Sequence, residues 1–262
     1  MIRFSIVTIT YNAAEALPRT LDSVMAQTWR NVEHIIVDGA STDTTLDVAH
    51  DYERRSREAG SGHNVIITSE PDKGLYDAMN KGLDRITGNY VVFLNAGDFF
   101  PGPGVLATVA ATAEKVQKRG GELPAVIYGD TDIVDSCGRF LHPRRLRPPK
   151  RLTWRSFMHG MLVCHQAFYA RADIARTQHY DLHYRYSADV DWCIRVMKEA
   201  RQLHLPLTDA GATLACYTEE GQTTLHHRDS LKERYRVMCR HYGRVPTLLM
   251  HCWFVVRSII KK

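Results

Sequence analysis

Acidic residues stand at the ends of apolar runs in this chain, a placement suited to holding a cation beside phosphate. Three clusters qualify: Asp98 in Asn95-Ala96-Gly97-Asp98, the pair Asp130 and Asp132, and the pair Asp189 and Asp191. Mg2+ and Mn2+ favour oxygen ligands and commonly take one or two carboxylates when substrate phosphates fill the rest of the shell. Asp98 closes an apolar run and precedes Phe99-Phe100, so its position is fixed and its surroundings partly dry. Asp130 also closes a run, but a hairpin follows at once and explains it equally well as a turn former. Two other phosphate-binding devices are missing. There is no G-x-G-x-x-G after the first strand and no G-x-x-x-x-G-K-[ST] in the chain. A nucleotide site built without a glycine-rich turn must neutralise phosphate differently, and the usual route is a divalent cation held by carboxylates.

The elements that would carry these residues alternate. Residues 4–10, 32–37, 65–68, 90–94 and 124–130 are short apolar, β-branched runs that predict buried strands. Between them residues 13–26, 42–58, 74–86 and 105–118 carry apolar residues at helical spacing. Residues 133–141 predict a hairpin, 160–169 a further strand, 187–201 a helix, and 223–262 a basic helical tail. The pattern is α/β: a mostly parallel sheet flanked by helices. Ligands of such sheets bind outside the carboxyl ends of the strands. Those ends read Thr10-Tyr11-Asn12, Asp38-Gly39-Ala40-Ser41, Glu70-Pro71-Asp72-Lys73-Gly74 and Asn95-Ala96-Gly97-Asp98. Asn, Asp, Gly and Ser are also ordinary loop and cap residues, so each end alone carries little weight.

At 262 residues, with 44% hydrophobic and 24% charged, the chain has the make-up of a globular protein with a sizeable core. The net charge of +5 is too small by itself to argue for nucleic acid. Six cysteines with no C-x-x-C pair exclude a zinc ribbon and predict reduced thiols in a cytoplasmic protein. Met1-Ile2-Arg3 runs straight into the first strand without a cleavage signal. The most membrane-like stretch, residues 247–260, is too short to span and contains His251 and Arg257.

Four motifs in order, Ser5-Ile6-Val7-Thr8-Ile9-Thr10-Tyr11-Asn12, Val37-Asp38-Gly39-Ala40-Ser41-Thr42-Asp43, residues 70–82 (EPDKGLYDAMNKG) and Phe93-Leu94-Asn95-Ala96-Gly97-Asp98, resemble the family 2 glycosyltransferases of the GT-A fold, nearest the bacterial exopolysaccharide and colanic-acid type. The resemblance is dense over the first hundred residues and sparse to about Gly221. It implies a Rossmann-like GT-A sheet and an inverting enzyme that takes sugar from a nucleotide-diphosphate donor with a divalent cation, Mn2+ or Mg2+. Carried over by residue, Thr10 and Tyr11 line the base pocket, Asp38 accepts from the base, Lys73 lies near the diphosphate, and Asn80 and Asn95 join the donor site. Asp98 matches the last acid of the D-x-D metal motif, while Asn95 and Gly97 stand where acids are common. Ser187-Ala188-Asp189-Val190-Asp191-Trp192 resembles the Glu-Asp motif, with Ala188 in place of the Glu, which maps the base to Asp189. The alternative is that Ser187 and Asp189 only cap a helix. Asp191 is the second candidate, and Trp192 could face a sugar ring. His165 and Gln166 resemble residues near the acceptor or leaving phosphate, and Gly221-Gln222-Thr223 a degenerate glycine-rich segment.

Residues 142–155 hold six Lys or Arg among three prolines, and the tail places Trp253, Phe254 and Ile260 beside Lys261-Lys262. Both suit anionic lipid headgroups or phosphates, although loop charge is often merely solvated. The expectation is a cytoplasmic enzyme at the inner face of the membrane, in polysaccharide or glycolipid assembly. Its acceptor is a saccharide or one carried on a lipid diphosphate. Its organisation is a GT-A domain over residues 1–222, divided near 130 into donor and acceptor halves, followed by a tail, 223–262, suited to the membrane interface. Two rivals remain open. A sugar nucleotidyltransferase would carry a glycine-rich, Arg-containing loop where this chain has Tyr11-Asn12-Ala13-Ala14-Glu15. A nucleic-acid-binding protein would interleave aromatics with the arginines, which this chain does not, so no nucleic acid partner is expected.

Overall fold

The computed structural model describes residues 1–218 and 227–260. Gly221-Gln222-Thr223 and Lys261-Lys262, singled out above, lie outside the described residues.

Three α/β repeats open the chain: β1 (Phe4–Thr10), α1 (Leu17–Met25), β2 (Val32–Asp38), α2 (Thr45–Glu58), β3 (Asn64–Ser69) and α3 (Leu75–Leu83). Then come β4 (Tyr90–Phe93), α4 (Val105–Lys118), β5 (Val126–Val134) and β6 (Phe140–Pro143). Two 3-10 turns, Trp154–His159 and His165–Ala167, lead into β7 (Phe168–Arg171) and α5 (Ala172–Ala175). The chain continues as α6 (Ala188–Gln202), β8 (Leu207–Thr218), α7 (His227–Tyr242) and α8 (Arg244–Ile260).

The strands form one mixed sheet in the order β3-β2-β1-β4-β7-β5-β6, with β8 paired to β5. β1 to β4 are mutually parallel, and β1, β2 and β4 are buried throughout, as their unbroken apolar runs require of strands covered on both faces; β3, at the sheet edge, is only half-buried, against the expectation for 65–68. β7 is antiparallel to both β4 and β5, so a late segment is wedged into the middle of the sheet. The strand predicted over 160–169 is therefore only partly right: His165-Gln166-Ala167 form a turn, and pairing begins at Phe168. β8 has no counterpart among the predicted elements.

α3 packs closely on β1, where a Cβ on Gly82 would collide with Val7 Cγ1. Under β4 and β7 lies an aromatic cluster. Tyr180 stacks on Trp192 at 5.1 Å between ring centres, and Phe93 and Phe168 meet the same indole edge-on. α7 belongs to this core rather than to a detached tail, because Val237 packs in the same cluster and Met238 is buried. At the amino ends of the strands Glu33 accepts hydrogen bonds from Ser5, Thr87 and Gly88 and pairs with Arg3 at 3.0 Å. At the opposite, carboxyl ends the buried Thr10 Oγ1 and Asn95 Oδ1 have no partner.

Candidate active site

At the carboxyl ends of β1 and β2 the chain turns sharply. Asn12 and Ala40 adopt positive φ, 46° and 62°, and Asn12 braces the two turns by receiving Thr42 N and donating its own N–H to Ser41 Oγ. Tyr11 stands out at 62% exposed. A Cβ on Gly39 would meet Tyr11 Cδ2 at 3.2 Å and Asp72 Oδ2 at 2.5 Å, so glycine is what lets ring and carboxylate approach the turn this closely. Thr10 is buried, and its Oγ1 has no partner. Lys73 is exposed at the entry to α3, where its N–H donates to Asp77.

Asp38 is fully buried, and its carboxylate accepts from Ser41 N–H, Ser41 Oγ and Ser69 Oγ, which shapes the loop. Asn80 spends both ends of its amide on the backbone of Tyr180, at 2.7 and 3.0 Å, which pins the loop before α6.

The second group of residues gathers around Asp98. Thr20 Oγ1 receives Gly97 N–H and donates to the Asp98 carbonyl, which fixes the loop after β4. Gln166 Nε2 donates to Asp98 Oδ2 at 2.9 Å. Burial pushes the Asp98 carboxyl up to about 6, against the opposing pull of Gln166 and His165. A carboxylate that lacks solvation is one a cation would satisfy, and Asn95 Oδ1 beside it is buried without a partner. Among the described residues no three His, Cys, Asp or Glu converge as a metal cage. The donor set, one carboxylate and one amide oxygen, therefore fits a cation completed by phosphate oxygens.

Asp189, in the first turn of α6, receives Tyr76 Oη at 3.2 Å and the N–H of Val190 at 2.9 Å on Oδ1. Its Oδ2 lies 3.5 Å from His165 Nδ1. Burial raises this carboxyl, but His165, Arg234 and the Val190 N–H outweigh burial and hold it below the ordinary range. It is ionised at neutral pH and able to accept a proton. His165 Nε2 in turn meets Asn95 Nδ2 at 3.4 Å. The adjacent pair His165-Gln166 thus joins both acids: Gln166 holds Asp98, and His165 lies between Asn95 and Asp189. The side chains of His165 and Asp189 remain 12 and 16% exposed, so this junction opens to solvent.

Asp191 and Trp192 do not join it. Asp191 is fully buried, with Arg195 at 2.6 Å and His241 at 2.8 Å, and so ties α6 to α7. Trp192 is fully buried in the aromatic cluster and offers no face to a sugar. Asp130 is gripped by Arg147 through two hydrogen bonds, at 3.0 and 2.7 Å, which accounts for it without a metal.

Three residues of the site escaped sequence reasoning. Tyr76 lay in plain view within the 70–82 motif. Thr20 resembles any helix threonine. Glu233, on α7, accepts the N–H groups of Arg185, Tyr186 and Ser187 at 2.7–3.1 Å and so holds the turn that presents Asp189. Nothing local in the sequence announces that contact.

Residues 5–175 match the family model "Glycosyl transferase family 2". The chain is 32% identical, over 98% of its length and 96% of the relative's, to a "PGL/p-HBAD biosynthesis glycosyltransferase" of Mycobacterium bovis. Its fold is similar to that of S. aureus TarS 1-349 in complex with UDP-GlcNAc, at a TM-score of 0.68 and 17% identity, covering 90% of this chain and 64% of that one. It is also similar to the mannosyltransferase PcManGT from Pyrobaculum calidifontis in complex with GDP-Man and Mn2+, at 0.63 and 19%, covering 95% of this chain and 68% of that one. Since the family model takes in β1 through the Asp98 loop to the His165-Gln166 turn, and the mycobacterial relative nearly the whole chain, the protein belongs to the family 2 glycosyltransferases and is a glycosyltransferase.

Proposed function

We propose that this glycosyltransferase transfers sugar with inversion from a nucleoside-diphosphate donor to a hydroxyl of a saccharide or lipid-linked saccharide, in polysaccharide or glycolipid assembly. The observation that carries the reading is the junction at His165-Gln166, which ties together two acids of opposite tendency.

Tyr11 covers the base, the unpartnered Thr10 Oγ1 adds a polar contact deeper in, and Lys73 approaches the diphosphate. Asp98 and Asn95 would hold Mn2+ or Mg2+, which when bound supplies positive charge to the departing diphosphate. Asp189 Oδ2 takes the proton of the acceptor hydroxyl as its oxygen attacks the anomeric carbon from the face opposite the leaving group. The bond from that carbon to the phosphate oxygen breaks in the same step, so one displacement inverts the centre. His165 and Tyr76 orient the Asp189 carboxylate and stabilise it before and after the transfer.

Support for a nucleotide sugar comes from the two fold relatives, held with UDP-GlcNAc and with GDP-Man and Mn2+. The name of the mycobacterial relative supports a place in biosynthesis. No helix of the described residues is long and apolar enough to cross a membrane. In this reading a lipid-carried acceptor is met by peripheral contact, at the cytoplasmic face. In this reading residues 1–130 form the donor half, 131–222 the acceptor half, and 223–262 the segment nearest the lipid.

Melting the protein with UDP-, GDP- and dTDP-sugars, with and without Mn2+, tests it. A matched donor at a hundred times its Kd adds about 2.7 kcal/mol of stability, and the product's anomeric configuration read by NMR must be opposite to that of the donor. A retained configuration, or no donor that stabilises, overturns the proposal.

A further inference from the structure

The last helix is packed inside out. On α8, Val245, Leu248, Leu249, Trp253 and Val256 fall on one side at helical spacing and are all 44–71% exposed. The polar Thr247 is fully buried, and His251 turns inward, its ring edge-on to Tyr235 of α7 at 5.0 Å and its Nδ1 donating to the Thr247 carbonyl. A helix on a water-facing surface shows the reverse arrangement, and an aligned stripe of large apolar side chains marks a surface that something else covers.

The charge beside the stripe says what. The turn Trp154–His159 packs against both α7 and α8, and Trp154 stacks on Tyr242 at the end of α7. That turn ends a basic stretch within residues 136–172, which contain no Asp or Glu, and residues 234–262 contain none either. Arg145, Lys150, Arg151 and Arg155 of the first stretch are exposed, as is Arg244 at the start of α8. A second copy of this chain is a poor occupant, because an isologous contact would bring each acid-free surface against its own twin. A crossing of the bilayer is excluded for the described helices by their length and polarity. What remains complementary is an apolar layer edged by negative charge.

We infer that α8, with the adjoining basic stretch 145–155, docks this protein on an anionic lipid bilayer, the stripe Val245, Leu248, Leu249, Trp253 and Val256 lying in the interface and the exposed cations on headgroup phosphates. This deepens the reading above, and rests on it only for what the bilayer presents to the site. Lipid contact itself needs no sugar transfer.

Sedimentation of the full chain with vesicles tests it, using phosphatidylcholine alone and phosphatidylcholine mixed with phosphatidylglycerol, at low and high salt. The wild type pellets with the anionic vesicles at low salt and is largely released at high salt. Leu248→Glu/Leu249→Glu/Trp253→Glu loses at least about tenfold in partition. Lys150→Glu/Arg151→Glu loses about tenfold on anionic vesicles and nothing on neutral ones. All these positions are exposed, so both variants keep the wild-type melting temperature; should the triple variant melt lower, Leu248→Ser/Leu249→Ser replaces it with the same expected direction. Wild type left in the supernatant with anionic vesicles overturns the inference. So does an apolar variant that pellets as well as wild type, or a wild-type dimer by light scattering that the apolar variant dissolves.

Discussion

Asp98 and Asp189 are the same side chain under opposite pressures. Asp98 is starved of solvation and pushed up to about 6, whereas Asp189 is held low by His165 and its neighbours. For Asp98 the sign runs against the usual carboxylate: its folded value lies above the unfolded 3.8, so the charged form costs stability above pH 6, and that cost fades as pH falls toward 4. Asp98→Asn is therefore expected to melt at or above wild type at pH 7.5 without ligand, and to lose the stabilisation that Mn2+ with nucleoside diphosphate gives wild type. Scanning calorimetry with and without those ligands reads both effects; a variant that melts lower and still responds to Mn2+ contradicts the assignment. Asp189→Asn is expected to cut kcat by about 10²–10⁴ with donor affinity unchanged by titration calorimetry. Residue types at strand ends and in the Ser187-Ala188-Asp189 segment were enough to find both acids. Burial was not legible: Asp191 and Trp192 resemble site residues in sequence, and only the fold encloses them.

At the scale of elements, the unbroken apolar runs made β1, β2 and β4 readable, and helical spacing did the same for α2 to α4. β8 was not readable because Thr208-Asp209-Ala210-Gly211-Ala212 mixes polar and small residues, and its strand state comes from pairing along β5. The turn at His165-Gln166-Ala167 was hidden inside an apolar stretch for a related reason, since tertiary contacts to Asp98 and Asp189 hold it. The seam between α6, its preceding loop and α7 is ionic: Arg240 meets Asp181 at 2.8 Å, and His241 meets Asp191. Burial pushes Asp181 up, but His183 and Arg240 hold it down to about 2. A lowered value means stability present above the unfolded 3.8 and lost as pH falls through 2. Between pH 4 and 2, wild type is expected to lose on the order of 1 kcal/mol through this group after solvent screening. Asp181→Asn abolishes that increment, as acid-dependent urea unfolding would measure; an unchanged slope in the variant refutes it.

Over the whole molecule the placement of Asp189, the proposed base, depends on a helix far along the chain. Glu233 of α7 receives three consecutive N–H groups at the amino end of α6, where the helix dipole favours a negative charge. Glu233→Ala leaves those donors unpaired and lets the Asp189 turn drift. The expected result is a fall in kcat of about tenfold or more, since small misplacements of a reacting group are expensive, with KM for the donor unchanged and Glu233→Gln partly restoring the rate. A rise in donor KM at constant kcat would show that α7 serves binding instead.

Strand order also governs how the protein is made. As the chain leaves the ribosome, β1 to β4 can assemble early, but the free side of β4 waits for β7, and β5 has no permanent place in the sheet until residues 168–171 are translated. An apolar edge from Tyr90 to Phe93 is thus exposed throughout synthesis of the intervening segment, an invitation to wrong pairing between nascent chains. The early portion holds Tyr11 and the Asp98 loop but neither His165 nor Asp189, so a prematurely released fragment would carry the proposed donor side of the site without the acid proposed to act on the acceptor.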